Sequence, residues 1–507
     1  MLVSLRSSLG LNFAGRFWAG AVAFFATPAY LHWLGRENFG LVGFCLLLQA
    51  ALGFVSAGLA DSANRETAAV ERAGPTALAE RQLAFQRLAW LVGVGLGALL
   101  AGLAGGLARH WLTLDKVGAD SAQRAIQLMA VLIALQVPID LYVGIFLGAR
   151  RPLTANLVLA GSATLRVLVT IAALAFFAPT ITVFFLAQIA TSVATAAACH
   201  FAVRGSPRGP AKPTWRNSWT SLRRSFHFSA GMTAVAFTGM LLSQADRIVL
   251  SRVLRLDDFG VYSIAVALAN LVYFLIGPVQ ATYYPEFSRC IQEEQRGPLT
   301  ELYHQACQCM AVLVFPTGIM LAFFSRDVLG WWTRSALVAD EAAPVVALLV
   351  TVRVIGGLNT MPYSLQFAHG WVSLVLGANM AAIVVLLPVL YYLAAQLGAI
   401  GAAMGYLLIA LPFLGWIVWR MHRRLLPGEL GRWFWRDTAP PFAATLALVG
   451  AWKYCEPADL SPTGRFLWVA FAGLSTLGAA ALTSPFVRAR VIHLGSQIRL
   501  FRRQLWT

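Results

Sequence analysis

Fourteen apolar runs, most of them about 18–25 residues long, constrain this chain more than any other feature. A run of that length crosses a bilayer as a helix, because backbone N–H and C=O groups in lipid must be satisfied within their own segment. The runs fall at 11–33, 39–60, 84–107, 124–147, 154–177, 182–203, 226–250, 259–283, 305–325, 343–365, 374–393, 399–419, 440–454 and 466–486. The thirteenth is the shortest and opens on Pro440-Pro441. A transmembrane barrel would show alternating segments of about 10 residues, and these are absent. The chain therefore reads as an all-α polytopic membrane protein. Arg16 lies inside the first run, which leads straight into further spans, so that run reads as a retained helix and not a cleaved signal.

Charge then orients the spans. Only 12% of residues are charged, yet the net charge is +17. The arginines concentrate in alternate short loops: Arg150-Arg151, the 204–225 segment, the 420–436 loop and the C-terminal tail. That is the positive-inside pattern, which accounts for the excess without nucleic acid and places both termini on the cytoplasmic side. The tail from Val491 spaces Leu494, Ile498, Phe501 and Leu505 between Arg499, Arg502 and Arg503, as a helix lying on the inner surface would. The six cysteines contain no Cys-x-x-Cys, so no disulfide or metal framework is expected. No Gly-Lys pair occurs, which excludes a phosphate-binding P-loop, and no cofactor is expected. The Gly93–Gly97 run, GVGLG, lies within the third span and reads as close helix packing.

The chain is also internally duplicated. LGRENFG at Leu34–Gly40 and LRLDDFG at Leu254–Gly260 both join two long apolar runs, and their Phe-Gly pairs lie about 220 residues apart. Pro138 and Pro362, Gly148 and Gly370, and Asn156 and Asn379 keep nearly the same offset. Two lobes with equal span counts and the same direction follow, as in parallel-repeat transporters. The expected divisions are an N-lobe at 1–203, a basic linker at 204–225 and a C-lobe at 226–419. A helix pair at 420–487 and a basic tail at 488–507 complete the chain.

These motifs carry a family likeness. Asn12, Pro28 and Tyr30 followed by LGRENFG, then Asp246-Arg247, Phe259-Gly260-x-Tyr262, Tyr284-Pro285 and the turn Leu397–Tyr406, resemble the polysaccharide flippases of the MOP (MATE-like) superfamily. The nearest type is the O-antigen or exopolysaccharide (Wzx-type) translocase. One departure falls after span 2, where the family pattern has an acidic residue before the glycine and this chain has Gly58 followed by Asp61. The resemblance implies a bacterial inner-membrane flippase for undecaprenyl-pyrophosphate-linked oligosaccharide. It implies a monomer working in the phospholipid membrane beside the polysaccharide polymerase and chain-length machinery.

The residues alone point to charge inside the bilayer. A charged side chain there costs at least roughly 2.5–3.5 kcal/mol and usually faces a cavity. Arg166 and Arg353 lie in the middle of spans 5 and 10, Arg16 in span 1 and Arg247 in span 7. Arginine's planar fork suits a pyrophosphate, so these four form the expected anion site in a cationic cavity between lobes, working by alternating access. Asp140, Asp61 and Asp246 are candidates for a coupling proton or sodium ion, and an ion gradient is the expected drive. Gln49, Gln136 and Asn359 are candidates for sugar contacts. A kink is expected next to Asp140, at Pro138. No catalytic residue is expected. The readings left open are a peptidoglycan-precursor flippase, a MATE-like drug exporter, which would favour carboxylates over arginines, and a membrane glycosyltransferase or polymerase.

Overall fold

The computed structural model describes residues 2–70, 75–204, 235–457 and 459–490. The linker beyond Arg204, the start of the seventh span, the tail from Val491 and the Arg16 side chain lie outside the described residues. Among the described residues the structure is helical, with a single isolated bridge pairing Thr113 with Arg255. The chain divides into two compact units: Met1–Ile264 with Ala394–Ala399, and Ala265–Leu393 with Ile400–Thr507.

In the first unit, α1 (Leu2–Val70) carries both of the first two spans. The loop expected at LGRENFG contracts to one residue, Gly35, at φ 74° and ψ 171°, a conformation that needs glycine. α2 (Pro75–Gly106) ends in a π-helical turn, Leu107–Trp111. α3 (Ala119–Gly148), α4 (Pro152–Phe176), α5 (Ile181–Arg204) and α6 (235–253) follow. α3 is the central helix: it packs on α1, α2 and α5 and buries Ile126, Met129, Leu141, Tyr142 and Phe146.

The break expected at Pro138 is absent: α3 is helical on both sides of it and through it. Proline removes one hydrogen bond, to the Ala134 carbonyl. That carbonyl lies against Gly93 of α2, so closely that a side chain on Gly93 would collide with it. Gly97 sits one turn on, and a Cβ there would come 2.9 Å from the Ala134 Cβ. The GVGLG run thus packs helices as expected, closing α2 onto α3 at the carbonyl that Pro138 frees.

The second unit contains the end of α7 (Leu256–Ala269), then α8 (Leu271–Gln292), α9 (Arg296–Phe323), α10 (Ser325–Thr333) and α11 (Ala336–Ala368). α7 and α8 together form the eighth span, jointed at Asn270. α12 (Val372–Leu425) holds spans 11 and 12, broken at Gly398 with φ 59°. A helical turn α13 (Leu430–Arg432) and a π-helical turn (Trp433–Thr438) lead into α14 (Ala439–Tyr454) and α15 (Pro462–Thr483). α9 packs on α8, α11, α14 and α15. Each of the fourteen expected spans therefore has a helix. Ten of these helices, some of them double, are long and apolar enough to cross a membrane.

The duplicated turns meet in the first unit. A Cβ on Gly40 would collide with the Leu256 carbonyl, and one on Gly260 with the Arg36 carbonyl. The two contacts are reciprocal, each glycine meeting the carbonyl four residues before the other. Arg36 and Asp257 pair across them at 3.3 Å. Glu37 accepts backbone hydrogen bonds from Asp115, Lys116 and Val117 at 2.8–3.1 Å, which ties the α2–α3 loop to the same turn.

Candidate functional site

Each unit holds one of the two mid-span arginines in its own polar surround. In the first unit Arg166 projects from α4. Its Nη2 lies 3.4 Å from the Ser192 hydroxyl of α5, while its buried Nε makes no hydrogen bond. Tyr30, Cys45 and Asp140 are its electrostatic neighbours. The Tyr30 and Thr170 hydroxyls lie near one another, both buried, without a closed hydrogen bond. Asp140 accepts from Ser56 Oγ at 2.5 Å and from Gln136 Nε2 at 2.7 Å. Helices α1, α3, α4 and α5 thus converge on a cluster of both charges in which hydrogen-bonding capacity is left over. Buried polar groups are normally satisfied, and an unused guanidinium N–H marks a place where an acceptor fits.

In the second unit Arg353 of α11 is buried. Its Nε donates to Asn270 Oδ1 at 3.2 Å, and its guanidinium lies 5.1 Å from the centre of the Tyr273 ring. Asn270 is the joint between α7 and α8, so this arginine also braces that joint. Asn359 Oδ1 on α11 is buried without a partner. One turn or two further along, Gln366 is fully buried with neither amide atom paired.

The remaining candidates separate. Asp246 is buried and accepts from the Tyr262 hydroxyl, which joins α6 to α7. Arg247 reaches Gln244 Oε1 at 3.4 Å. Gln136 is occupied by Asp140 and Gln49 is half-buried on α1. Asp61 is exposed on α1. The structure therefore joins Arg166 with Asp140 and Gln136, and gives Asp246 a tie between helices.

The family description "polysaccharide biosynthesis protein" matches residues 33–331, more than half of the chain. The chain belongs to the polysaccharide biosynthesis protein family. No curated protein sequence matches it. Its fold is that of the MOP superfamily transporters. An inward-facing multidrug-resistance MATE family transporter of that superfamily superposes with TM-score 0.69 at 15% identity, covering 80% of this chain and 95% of that one. The lipid II flippase MurJ, in an inward closed conformation, superposes with TM-score 0.73 at 10% identity, covering 95% of this chain and 99% of that one. A MOP superfamily transporter from Pyrococcus furiosus superposes with TM-score 0.56 at 13% identity, covering 82% and 95%.

A second polar cluster escaped sequence reasoning. His304 of α9 is fully buried: its Nδ1 meets Asp437, and its Nε2 lies 2.9 Å from Glu429 Oε2. Gln308, one turn on, donates to Asp437 Oδ1 at 2.7 Å and accepts from the Phe486 backbone N–H at 2.9 Å. Arg432 donates to Glu301 at 2.5 Å. The i, i+4 pair His304 and Gln308 in an apolar span was the available signal. Their partners lie about 125–180 residues away and carry no pattern in the sequence.

Proposed function

We propose that this protein is a flippase that moves undecaprenyl-pyrophosphate-linked oligosaccharide, an O-antigen or related repeat unit, across the bacterial inner membrane. It works by alternating access with both termini cytoplasmic. The observation that carries the reading is Arg166: a mid-membrane guanidinium with an unused donor, beside unpaired Tyr30 and Thr170 hydroxyls, in a member of the polysaccharide biosynthesis family. A pyrophosphate oxygen would complete that donor set, and arginine keeps its charge in a low dielectric where lysine would not. Arg353 takes the second share of the anion, with Arg16 and Arg247 as further cationic candidates, and Asn359 and Gln49 face the sugar. The lobe divisions, the monomeric state, the polymerase and chain-length partners and the non-enzymatic role belong to the same proposal.

Asp140 is the best-supported coupling residue. It shares the cluster of Arg166, so a change in its charge is felt where the anion would bind. One observation favours a second reading: the likeness to the lipid II flippase over nearly the whole chain supports a peptidoglycan-precursor substrate with the same arginine chemistry.

The test is translocation in proteoliposomes, supplied in parallel with a pyrophosphate-linked oligosaccharide and a peptidoglycan precursor. The expected result is transport of the former, lost in a correctly inserted Arg166→Ala/Arg353→Ala variant. Full transport by that variant would sink the anion-site claim, and preference for the precursor would establish the second reading.

A further inference from the structure

The last turns of α12 carry four exposed arginine and tryptophan positions in one stripe, and the stripe changes chemistry along its length. Ile400, Met404, Leu408 and Leu411 are exposed at helical spacing. Of these, Leu408 shares its face with Trp419 and Arg423, eleven and fifteen residues on, and Trp416 lies beside that face; the two tryptophans are 44% and 43% exposed. Arg420 and Arg423, both exposed, end it. The opposite face, Ile417, Val418, Met421 and His422, is buried. Apolar, then amphipathic aromatic, then cationic is the order met on passing from acyl chains through the interface to phospholipid headgroups.

The neighbouring acids are spent elsewhere. Glu301 is held by Arg432, and Glu429 and Asp437 flank His304. Among the described residues, Arg420, Arg423, Arg424 and Arg436 form no ion pair with a carboxylate. Two of them lie over rings instead: the Arg423 guanidinium is 5.4 Å from the centre of Trp419, and that of Arg424 4.1 Å from the centre of Trp371. A guanidinium stacked on a ring keeps its edge N–H groups free for an anion. A purely topological charge would need neither the register with the apolar stripe nor the ring supports.

We propose that this face of α12 binds an anionic phospholipid, an acyl chain along Leu408 and Trp419 and its phosphate on Arg420 and Arg423. The occupant is a bilayer lipid and not the transported one: the arginines end an exposed face opposite His422, whose ring packs toward Tyr303 and Trp433 beside the cluster around His304. The site is separate from Arg166 and Arg353, and its test requires no transport.

The purified full chain is titrated in detergent with phosphatidylglycerol and with phosphatidylcholine of the same acyl chains, and bound lipid is counted by native mass spectrometry. Preferential binding of phosphatidylglycerol is expected, weakened roughly tenfold or more in Arg420→Gln/Arg423→Gln. Arg326→Gln, a solvent-exposed change on α10, should leave it unaltered. Equal binding of the two lipids, or a preference that survives the double change, overturns the proposal. So does displacement of phosphatidylglycerol by substoichiometric undecaprenyl pyrophosphate, which would give the face to the substrate. Melting temperature checks that the variant is folded, and Arg420→Lys/Arg423→Lys should keep part of the preference.

Discussion

Arg166 and Arg353 looked alike in the sequence, each alone near the middle of an apolar run. Their surroundings separate them. Arg166 has an unused donor, whereas Arg353 is paired with Asn270 and faced by Tyr273. Asn270→Ala should therefore remove one acceptor from a buried guanidinium and destabilise the protein by about 1–3 kcal/mol, read as a lower melting temperature. Arg166→Ala should change stability far less than it changes transport. Asp246 follows the same logic from the other side. Tyr262→Phe removes one donor to it, and an expected loss of about 1–3 kcal/mol with transport largely retained would mark Asp246 as a tie between α6 and α7. Loss of transport at unchanged stability would return it to the coupling candidates.

Helix contacts explain motifs whose meaning was hidden in the chain. The repeated Phe-Gly is one contact made twice, each glycine lying on a carbonyl of the other copy's turn. Gly40→Ala and Gly260→Ala should both lower melting temperature and yield. Gly95→Ala, where a Cβ meets nothing within 4 Å, should be neutral or gain about 1 kcal/mol from helix propensity. The His304 cluster fastens α9 to the segment between α12 and α14. Replacing His304 with Ala removes one of the two side-chain partners of buried Asp437 and leaves Gln308 as the other, an expected loss of about 1–3 kcal/mol. Hydrogen exchange should then rise in α9, α13 and α14 and stay unchanged in α2 to α5, which lie in the other compact unit. Uniform acceleration across both units would show that the cluster is no local fastening.

For the molecule as a whole, the chain belongs to the polysaccharide biosynthesis protein family and has the MOP fold, and under the proposed flippase function coupling is the open quantity. Asp140→Asn in proteoliposomes should reduce gradient-driven transport about tenfold or more, an effect of about 1.4 kcal/mol, while exchange without a gradient persists. Equal effects on both would remove Asp140 from coupling. Much of this was legible in the chain. Apolar run length alone determined fourteen helices, because lipid offers the backbone no other hydrogen-bond partner. The offset of Phe39-Gly40 and Phe259-Gly260 likewise determined the duplication. Other features depend on distant pairings, which one-dimensional spacing does not encode. α3 continues as a helix through Pro138, with Gly93 packed on the freed carbonyl. Asp246 is engaged by Tyr262 and Arg166 keeps a free donor for the same kind of reason. His304 finds two carboxylates more than a hundred residues away. Helices form from local bonds, so the sequence determined them; partners across helices are chosen by packing, and only the tertiary structure decided those.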